Sequence, residues 1–308
     1  MLVIVAPGQG AQTPGFLAPW LEIDAFAEGL ARLSEVTGLD LARLGTGADA
    51  ETIRDTAVAQ PLLVASALAT AEQLSPTVAG LAGVIAGHSV GELAAAAMAG
   101  VVSVESAMVL VRERGRGMAE ASAVTPTSMT AVIGGDREEV LAAIEAAGLT
   151  PANNNGSGQI VAAGTKEQLA ALADNAPRRA RLKPLSVAGA FHTHHMAPAV
   201  ARLEALAAAV PTEDPRTGLL SNADGAVVIS GREYLERLVR QMANPVRWDL
   251  CMETMSGLGV TGILELAPAG TLTGIAKRNL KGVELFNLNT PDQLDEARVF
   301  CTTHSAKA

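Results

Sequence analysis

The five residues Gly87-His88-Ser89-Val90-Gly91 constrain this chain more than any other stretch. They follow the apolar run Gly83-Val84-Ile85-Ala86, which reads as a buried strand, and precede Glu92 to Met98, an alanine-rich and strongly helix-forming run. A strand that turns into a helix so abruptly leaves no space for side chains at its flanks, hence a glycine two places on either side of the serine. This is the G-x-S-x-G nucleophile elbow. Its strain lifts the serine hydroxyl clear of the sheet, and the following helix aims its first N–H groups at any developing negative charge. A serine in a glycine-rich turn is usually only a turn residue; the strand before it and the helix after it carry the catalytic reading.

Other features narrow the class. The chain has 308 residues, enough for one large α/β domain with room for a smaller inserted one. Apolar residues make up 49% and aromatics 3%, so the core is expected to be built from Ala, Val and Leu. The start, Met1-Leu2-Val3-Ile4-Val5-Ala6, lacks the cationic residue of a secretory signal and reads as a first strand running into the turn Pro7-Gly8-Gln9-Gly10. Val84 to Val102 is interrupted by His88, Ser89 and Glu92, which rules out a membrane span. A net charge of −9 argues against nucleic acid as a partner. Cys251 and Cys301 have neither metal-ligand nor disulfide spacing and read as reduced thiols, pointing to the cytoplasm. Arg178, Arg179, Arg181 and Lys183 form a local basic cluster, read first as a solvated loop or strand end and second as a docking patch for an acidic partner.

Thr13 to Leu44 alternates short helical patterns with Gly and Pro. Thr52 to Leu74 is a stronger helical run, with Pro61 as a candidate start of its second half. Ser103 is expected to cap a helix that runs through Arg114 to about Met118. Composition shifts near residue 122. Strands are then expected at 128–133, 159–163 and 180–187, with helices at 137–147 and 166–173 between them. Strand–helix–strand–helix–strand suggests a small ferredoxin-like α+β insert. Beyond it, 196–209 reads as a helix, 263–266 as a strand, and the residues from about Thr302 as a frayed polar tail with His304 solvated.

A serine hydroxyl needs a base. His304 lies in the tail, and His88 adjoins the serine, where neighbouring side chains diverge. That leaves Gly189-Ala190-Phe191-His192-Thr193-His194-His195-Met196. With no Cys, carboxylate or H-E-x-x-H pattern near them, these histidines do not make a metal site. His192, just before the helix, is the candidate base. A hydrolase triad would place an acid between serine and histidine, but Asp136 and Asp174 both fall inside the insert. The pattern therefore suggests a dyad whose imidazole is held by something other than a carboxylate.

Over nearly its whole length the chain resembles the malonyl-CoA:acyl carrier protein transacylases and the acyltransferase domains of polyketide synthases. The resemblance rests on Pro7-Gly8-Gln9-Gly10-Ala11-Gln12, Gly87-His88-Ser89-Val90-Gly91-Glu92, Arg114-Gly115 before Met118, Asn153 to Gly164, Ala190-Phe191-His192 with Met196 and Pro198, and Gln241 with Asn244-Pro245-Val246 and Trp248. It implies an α/β fold: an interrupted α/β-hydrolase-like large domain with a parallel sheet (1–124 and 190–308) and a ferredoxin-like small subdomain (125–189). It implies Ser89 as nucleophile, His192 as base and then acid, and an oxyanion hole made by the backbone N–H groups of Gln9 and Val90. The Gln241 carbonyl would orient the histidine, and Asn155 would be a polar group near the substrate. On sequence alone Arg114, beside Arg112 and Arg116, reads as an exposed helical arginine; the resemblance makes it a bidentate clamp for the free malonyl carboxylate. Phe191 before the base, in Ala-Phe-His, and Val90 after the serine resemble the malonyl-selecting form, while Gly189 departs from the histidine frequent in polyketide domains.

The implied reaction is ping-pong transfer from malonyl-CoA to the phosphopantetheine thiol of acyl carrier protein, in fatty-acid or polyketide synthesis. No metal or organic cofactor is implied, and the default expectation is a cytoplasmic monomer. The competing expectations are a serine esterase or thioesterase, which would not depend on Arg114, and a noncatalytic scaffold for the carrier.

Overall fold

The computed structural model describes residues 1–187 and 189–305. Its strands are β1 (Leu2–Ala6), β2 (Val84–Gly87), β3 (Thr127–Gly134), β4 (Thr150–Asn154), β5 (Gln159–Thr165), β6 (Ala180–Pro184), β7 (Gly218–Leu219), β8 (Val246–Arg247), β9 (Gly262–Glu265) and β10 (Glu284–Asn287). Its α-helices are α1 (Asp24–Thr37), α2 (Leu41–Thr46), α3 (Thr56–Leu74), α4 (Gly91–Met98), α5 (Val104–Val124), α6 (Arg137–Ala146), α7 (Lys166–Asp174), α8 (Ala197–Ala208), α9 (Gly231–Gln241), α10 (Trp248–Gly257), α11 (Thr271–Asn279) and α12 (Leu294–His304).

One five-stranded sheet has the order β10-β9-β1-β2-β7 and is parallel throughout. Alternation along β1 sends Leu2, Ile4 and Ala6 to one face and Val3 and Val5 to the other, and both faces are buried. The first face packs on α3 and α5, the second on α10 and α11. Helix α3 is apolar nearly all round and correspondingly buried, with Gln60 a polar exception. Pro61 lies inside α3 and starts nothing: the helix is continuous from Thr56, and a separate 3-10 turn covers Thr52–Arg54.

The second sheet has the order β6-β3-β5-β4-β8. Between β3 and β6 the chain runs strand–helix–strand–strand–helix–strand, antiparallel in its pairings. The expected insert thus gains β4, whose sequence Thr-Pro-Ala-Asn-Asn has no apolar alternation to announce it. Parallel pairing of β4 with β8 ties this sheet to the segment after Gln241. The fold is α/β, a parallel-sheet core with a second five-stranded sheet belonging mainly to a small subdomain.

Three expectations need correcting. Helix α5 does not stop near Met118 but continues to Val124, because Ala121 still packs inward and Ser122 Oγ donates to the Met118 carbonyl instead of breaking the helix. Strand β6 ends at Pro184 instead of reaching Val187: the Leu185 N–H still donates to the Met129 carbonyl (2.9 Å), but the Val187 N–H turns back onto the Leu185 carbonyl (2.9 Å). The residues from Thr302 to His304 belong to α12, and His304 is buried, its ring against Thr261 Oγ1 (3.0 Å) and Glu284 (3.3 Å). Burial of Leu294, Ala297 and Cys301 along one stripe holds that helix down.

Candidate active site

The site lies where the C-terminal ends of β1 and β2 meet the second sheet, the position at which open parallel sheets place ligands. Ser89 takes a left-handed backbone conformation, φ 54°, at the turn between β2 and α4. The tightness is visible at the glycines. A Cβ on Gly87 would run into the backbone of Gly91, and one on Gly91 into the carbonyl oxygen of Ala6. His192 also has a positive φ, 61°, and its N–H donates to the Met242 carbonyl at 3.0 Å. Two non-glycine residues held in this sparsely populated region face each other, and such strain clusters at functional sites.

Ser89 Oγ lies 2.8 Å from His192 Nε2. His192 Nδ1 lies 2.8 Å from the backbone carbonyl oxygen of Gln241, which accepts only, so the proton sits on Nδ1 and Nε2 faces the hydroxyl as an acceptor. A carbonyl thus occupies the place of the triad aspartate. Burial, with the nearby Arg114 charge adding to it, pushes the His192 pKa down to about 3.

Arg114 is 1% exposed, so it is not the solvated helical arginine its neighbours suggest. Its Nη1 donates to Gln60 Oε1 (2.6 Å), and its Nη2 to Gln241 Oε1 (2.8 Å) and Ser89 Oγ (3.4 Å). Its Nε–H finds no acceptor among the described residues. Burial lowers the guanidinium pKa to about 10, opposed by Glu92, so the group stays charged at neutral pH.

The backbone N–H groups of Gln9 and Val90 likewise have no acceptor among the described residues, whereas those of Gly91 and Glu92 are taken by His88 and Ser89 carbonyls. A cavity of about 310 Å³ opens over Ser89; Gln9, Asn155, Phe191 and His192 line it, as does Ile275 from α11. His88 turns away from the serine. Its Nε2 meets Asn155 Oδ1 at 3.0 Å and its ring stands edge-on to Trp248. His192, Gln9, Val90, Arg114, Phe191, Asn155 and Gln241 are thus gathered around Ser89, with Arg114 and Gln241 joined to it by hydrogen bonds behind the cavity wall. His194 and His195 sit on the following 3-10 turn with ring centroids 4.1 Å apart, and nothing in the structure gives them a task.

Sequence reasoning missed three polar residues here. Gln60 is a buried amide on a helix whose other buried polar groups are small hydroxyls, a contrast that was legible. Asn222, fully buried, accepts from the Ser89 N–H (2.8 Å) and donates to the Gly87 carbonyl (2.8 Å), bracing the elbow from 133 residues away, and no local pattern marks it. Glu92, 1% exposed, accepts from the Asn222 N–H (2.6 Å) and Gln241 Nε2 (2.5 Å). Burial raises its pKa to about 8, countered by the Asn222 N–H, Arg114 and Gln241.

The acyl transferase domain family matches residues 3–290. The malonyl CoA-acyl carrier protein transacylase of Mycobacterium tuberculosis is 50% identical over 298 residues, covering 96% of this chain and 99% of the relative. The crystal structure of MCAT from Mycobacterium tuberculosis superposes with a TM-score of 0.93 at 50% identity, over 97% of this chain and 99% of that one. A malonyl-transacylase solved in complex with a type II PKS acyl-carrier protein gives a TM-score of 0.90 at 31% identity, over 97% and 99% of the two chains. Full-length identity of this order, on the same fold and with the serine turn intact, leads to one conclusion: the chain belongs to the malonyl CoA-acyl carrier protein transacylase family.

Proposed function

We propose that this protein transfers a malonyl group from malonyl-CoA to the phosphopantetheine thiol of acyl carrier protein through a malonyl-Ser89 ester. The observation that carries the reading is Ser89 Oγ lying between a neutral imidazole at 2.8 Å and a buried guanidinium at 3.4 Å. His192 takes the Ser89 proton as Oγ attacks the thioester carbonyl. The oxyanion gathers the free N–H groups of Gln9 and Val90, and the C–S bond breaks as His192 returns the proton to the departing CoA thiolate. The carrier thiol then gives its proton to His192 and attacks the ester, and Ser89 leaves with that proton. Arg114 holds the malonyl carboxylate, using among its donors the unpartnered Nε–H. Phe191 and Asn155 line the acyl chamber, where Phe191 fills the space an α-methyl branch would need. No organic cofactor or metal enters these steps.

Residues 125–189 act as a small subdomain inserted between 1–124 and 190–308, and the cytoplasmic, monomeric protein serves fatty-acid or polyketide synthesis. The exposed basic residues Arg178, Arg179, Arg181 and Lys183 on and before the edge strand β6, with Lys183 at the cavity rim, suit an acidic carrier. Reversing Arg179 and Arg181 to Glu is expected to raise the carrier KM about tenfold while leaving malonyl-CoA loading intact; an unchanged carrier step removes the patch.

The central test is intact mass after incubation with malonyl-, methylmalonyl- or acetyl-CoA. A lasting adduct on Ser89 with malonyl-CoA, weak with the others, is expected. Rapid release of free acid with no adduct would make the protein a thioesterase instead.

A further inference from the structure

We infer that Glu92 is a positioning residue that sets the polarity of the Gln241 amide, so that Oε1 and not Nε2 faces Arg114. The inference rests on the proposed role of Arg114 as carboxylate clamp. The Gln241 side chain is wedged between a group that accepts and a group that donates. Once ionised, which with its pKa of about 8 it becomes as pH rises through that value, Glu92 offers only lone pairs, and Arg114 offers only N–H bonds. One orientation satisfies both: Nε2 toward Glu92 Oε2 at 2.5 Å, Oε1 toward Arg114 Nη2 at 2.8 Å. The opposite orientation would aim N–H groups at a guanidinium and a carbonyl at a carboxylate.

The remaining contacts reinforce this choice. Glu92 Oε1 is engaged by the Asn222 N–H at 2.6 Å, so the carboxylate cannot rotate away. Gln241 Nε2 also lies near the Ser89 carbonyl (3.2 Å) and Asn222 Oδ1 (3.3 Å), both acceptors. The backbone carbonyl of the same Gln241 holds His192. One residue at the end of α9 therefore serves the base through its main chain and the clamp through its side chain, and Glu92 orders the second function. Although Glu92 lies in the first turn of α4, its carboxylate caps none of that helix's own N–H groups.

Replacing Glu92 with Gln puts a second amide opposite Gln241 and removes the acceptor-only partner. Expected for Glu92→Gln is a fall of tenfold or more (about one charge-assisted hydrogen bond) in kcat/KM for malonyl-CoA loading, carried by KM. Acylation of Ser89 by p-nitrophenyl acetate, which has no carboxylate, should change less than about threefold. The charged and titratable groups facing Glu92 are Arg114 from α5, Tyr234 from α9 and Cys251 from α10; the neutral amides of Gln241 and the Asn222 loop complete its surroundings. Because the deprotonated form is the acceptor-only one, malonyl kcat/KM should rise with pH through about 8, a limb absent in Glu92→Gln and kept in Glu92→Asp. Equal losses with both substrates, or no loss with either, overturn the inference. If Glu92→Gln fails to fold, Glu92→Asp decides through the limb, whose absence overturns it. Arg114→Ala separates the two claims: malonyl loading intact in that variant sinks the clamp itself, whereas loading lost there and unchanged in Glu92→Gln sinks only the role given to Glu92.

Discussion

Two strand-to-helix junctions flank β1 in the parallel sheet, and each carries a buried glutamate. At the end of β9, Glu265 accepts from the N–H groups of Gly270 (2.9 Å), Leu272 (3.0 Å) and Thr273 (2.9 Å) and from Thr273 Oγ1 (3.1 Å). Two of the first three N–H groups of α11, those of Leu272 and Thr273, are thereby taken by a side chain of the protein, and Leu272 and Ile275 stand in the cavity wall. At the end of β2 no acidic side chain sits over the helix. Glu92 lies inside α4 and reaches sideways to Asn222 and Gln241, so the Val90 N–H at the entrance keeps no acceptor. The same residue type closes one junction and leaves the other open. A helix N-terminus serves an incoming oxyanion only if its protein-derived anion is placed elsewhere.

The sharpest way to break the comparison is to remove the nucleophile. Ser89→Ala should lower malonyl transfer by about 10⁴-fold or more and abolish the adduct in intact mass. Its unfolding free energy should move by less than about 1 kcal/mol, since both junctions keep their backbone bonds. Transfer retained by this variant would end the catalytic reading. Next is Gly91→Ala, whose Cβ collides with the Ala6 carbonyl oxygen of the neighbouring strand. A loss of about 3 kcal/mol or more is expected in urea unfolding. A variant as stable as the parent would mean that the elbow is not as tightly packed as described.

Glu265→Gln sharpens the difference between the two acids. An amide facing three backbone donors leaves at least one unpaired, at a cost of about 2 kcal/mol. The folded fraction should still load malonyl-CoA within about threefold of the parent, because Glu265 makes no hydrogen bond to Ser89, His192, Arg114 or Gln241. A large KM effect here, matching that expected of Glu92→Gln, would erase the distinction between closing and opening a junction.

What could be read from the sequence divides along similar lines. The elbow, the first strand and most of the second sheet were legible because local patterning announces them: glycine spacing around Ser89, an apolar run at Leu2–Ala6, a helix cap at Ser103. The two-residue strands β7 and β8 were not, since two residues carry no period, and neither were β4, with its proline and asparagines, and the solvent-facing β10. Among the site residues, those next to a turn or in a recognisable motif emerged early. Asn222 and Glu92 act across more than 100 residues of chain, and such contacts exist only once the sheet has formed. His304 misled for a related reason: a polar tail sequence gives no sign that Thr261 and Glu284 await it.

The smallest expected effect concerns the pH response of the open junction. A histidine with its ordinary pKa of about 6.5 would lose roughly 25-fold in neutral base between pH 7 and pH 5. His192, held near 3 by burial and by Arg114, stays neutral across that range. Single-turnover malonyl loading at saturating malonyl-CoA should therefore change less than about twofold from pH 7 to 5. The cost falls on stability instead. Below about 6.5 the unfolded chain takes up a proton that folded His192 refuses, so its contribution declines as pH falls toward 3. Glu92 works in the other direction: its folded pKa of about 8 exceeds the ordinary 4.5, so the stability it lends is full below 4.5 and is lost as pH rises to 8. A loading rate that drops steeply near pH 6.5 while the fold is intact would mean that the imidazole is solvated and that the carbonyl of Gln241 does not hold it in a dry site.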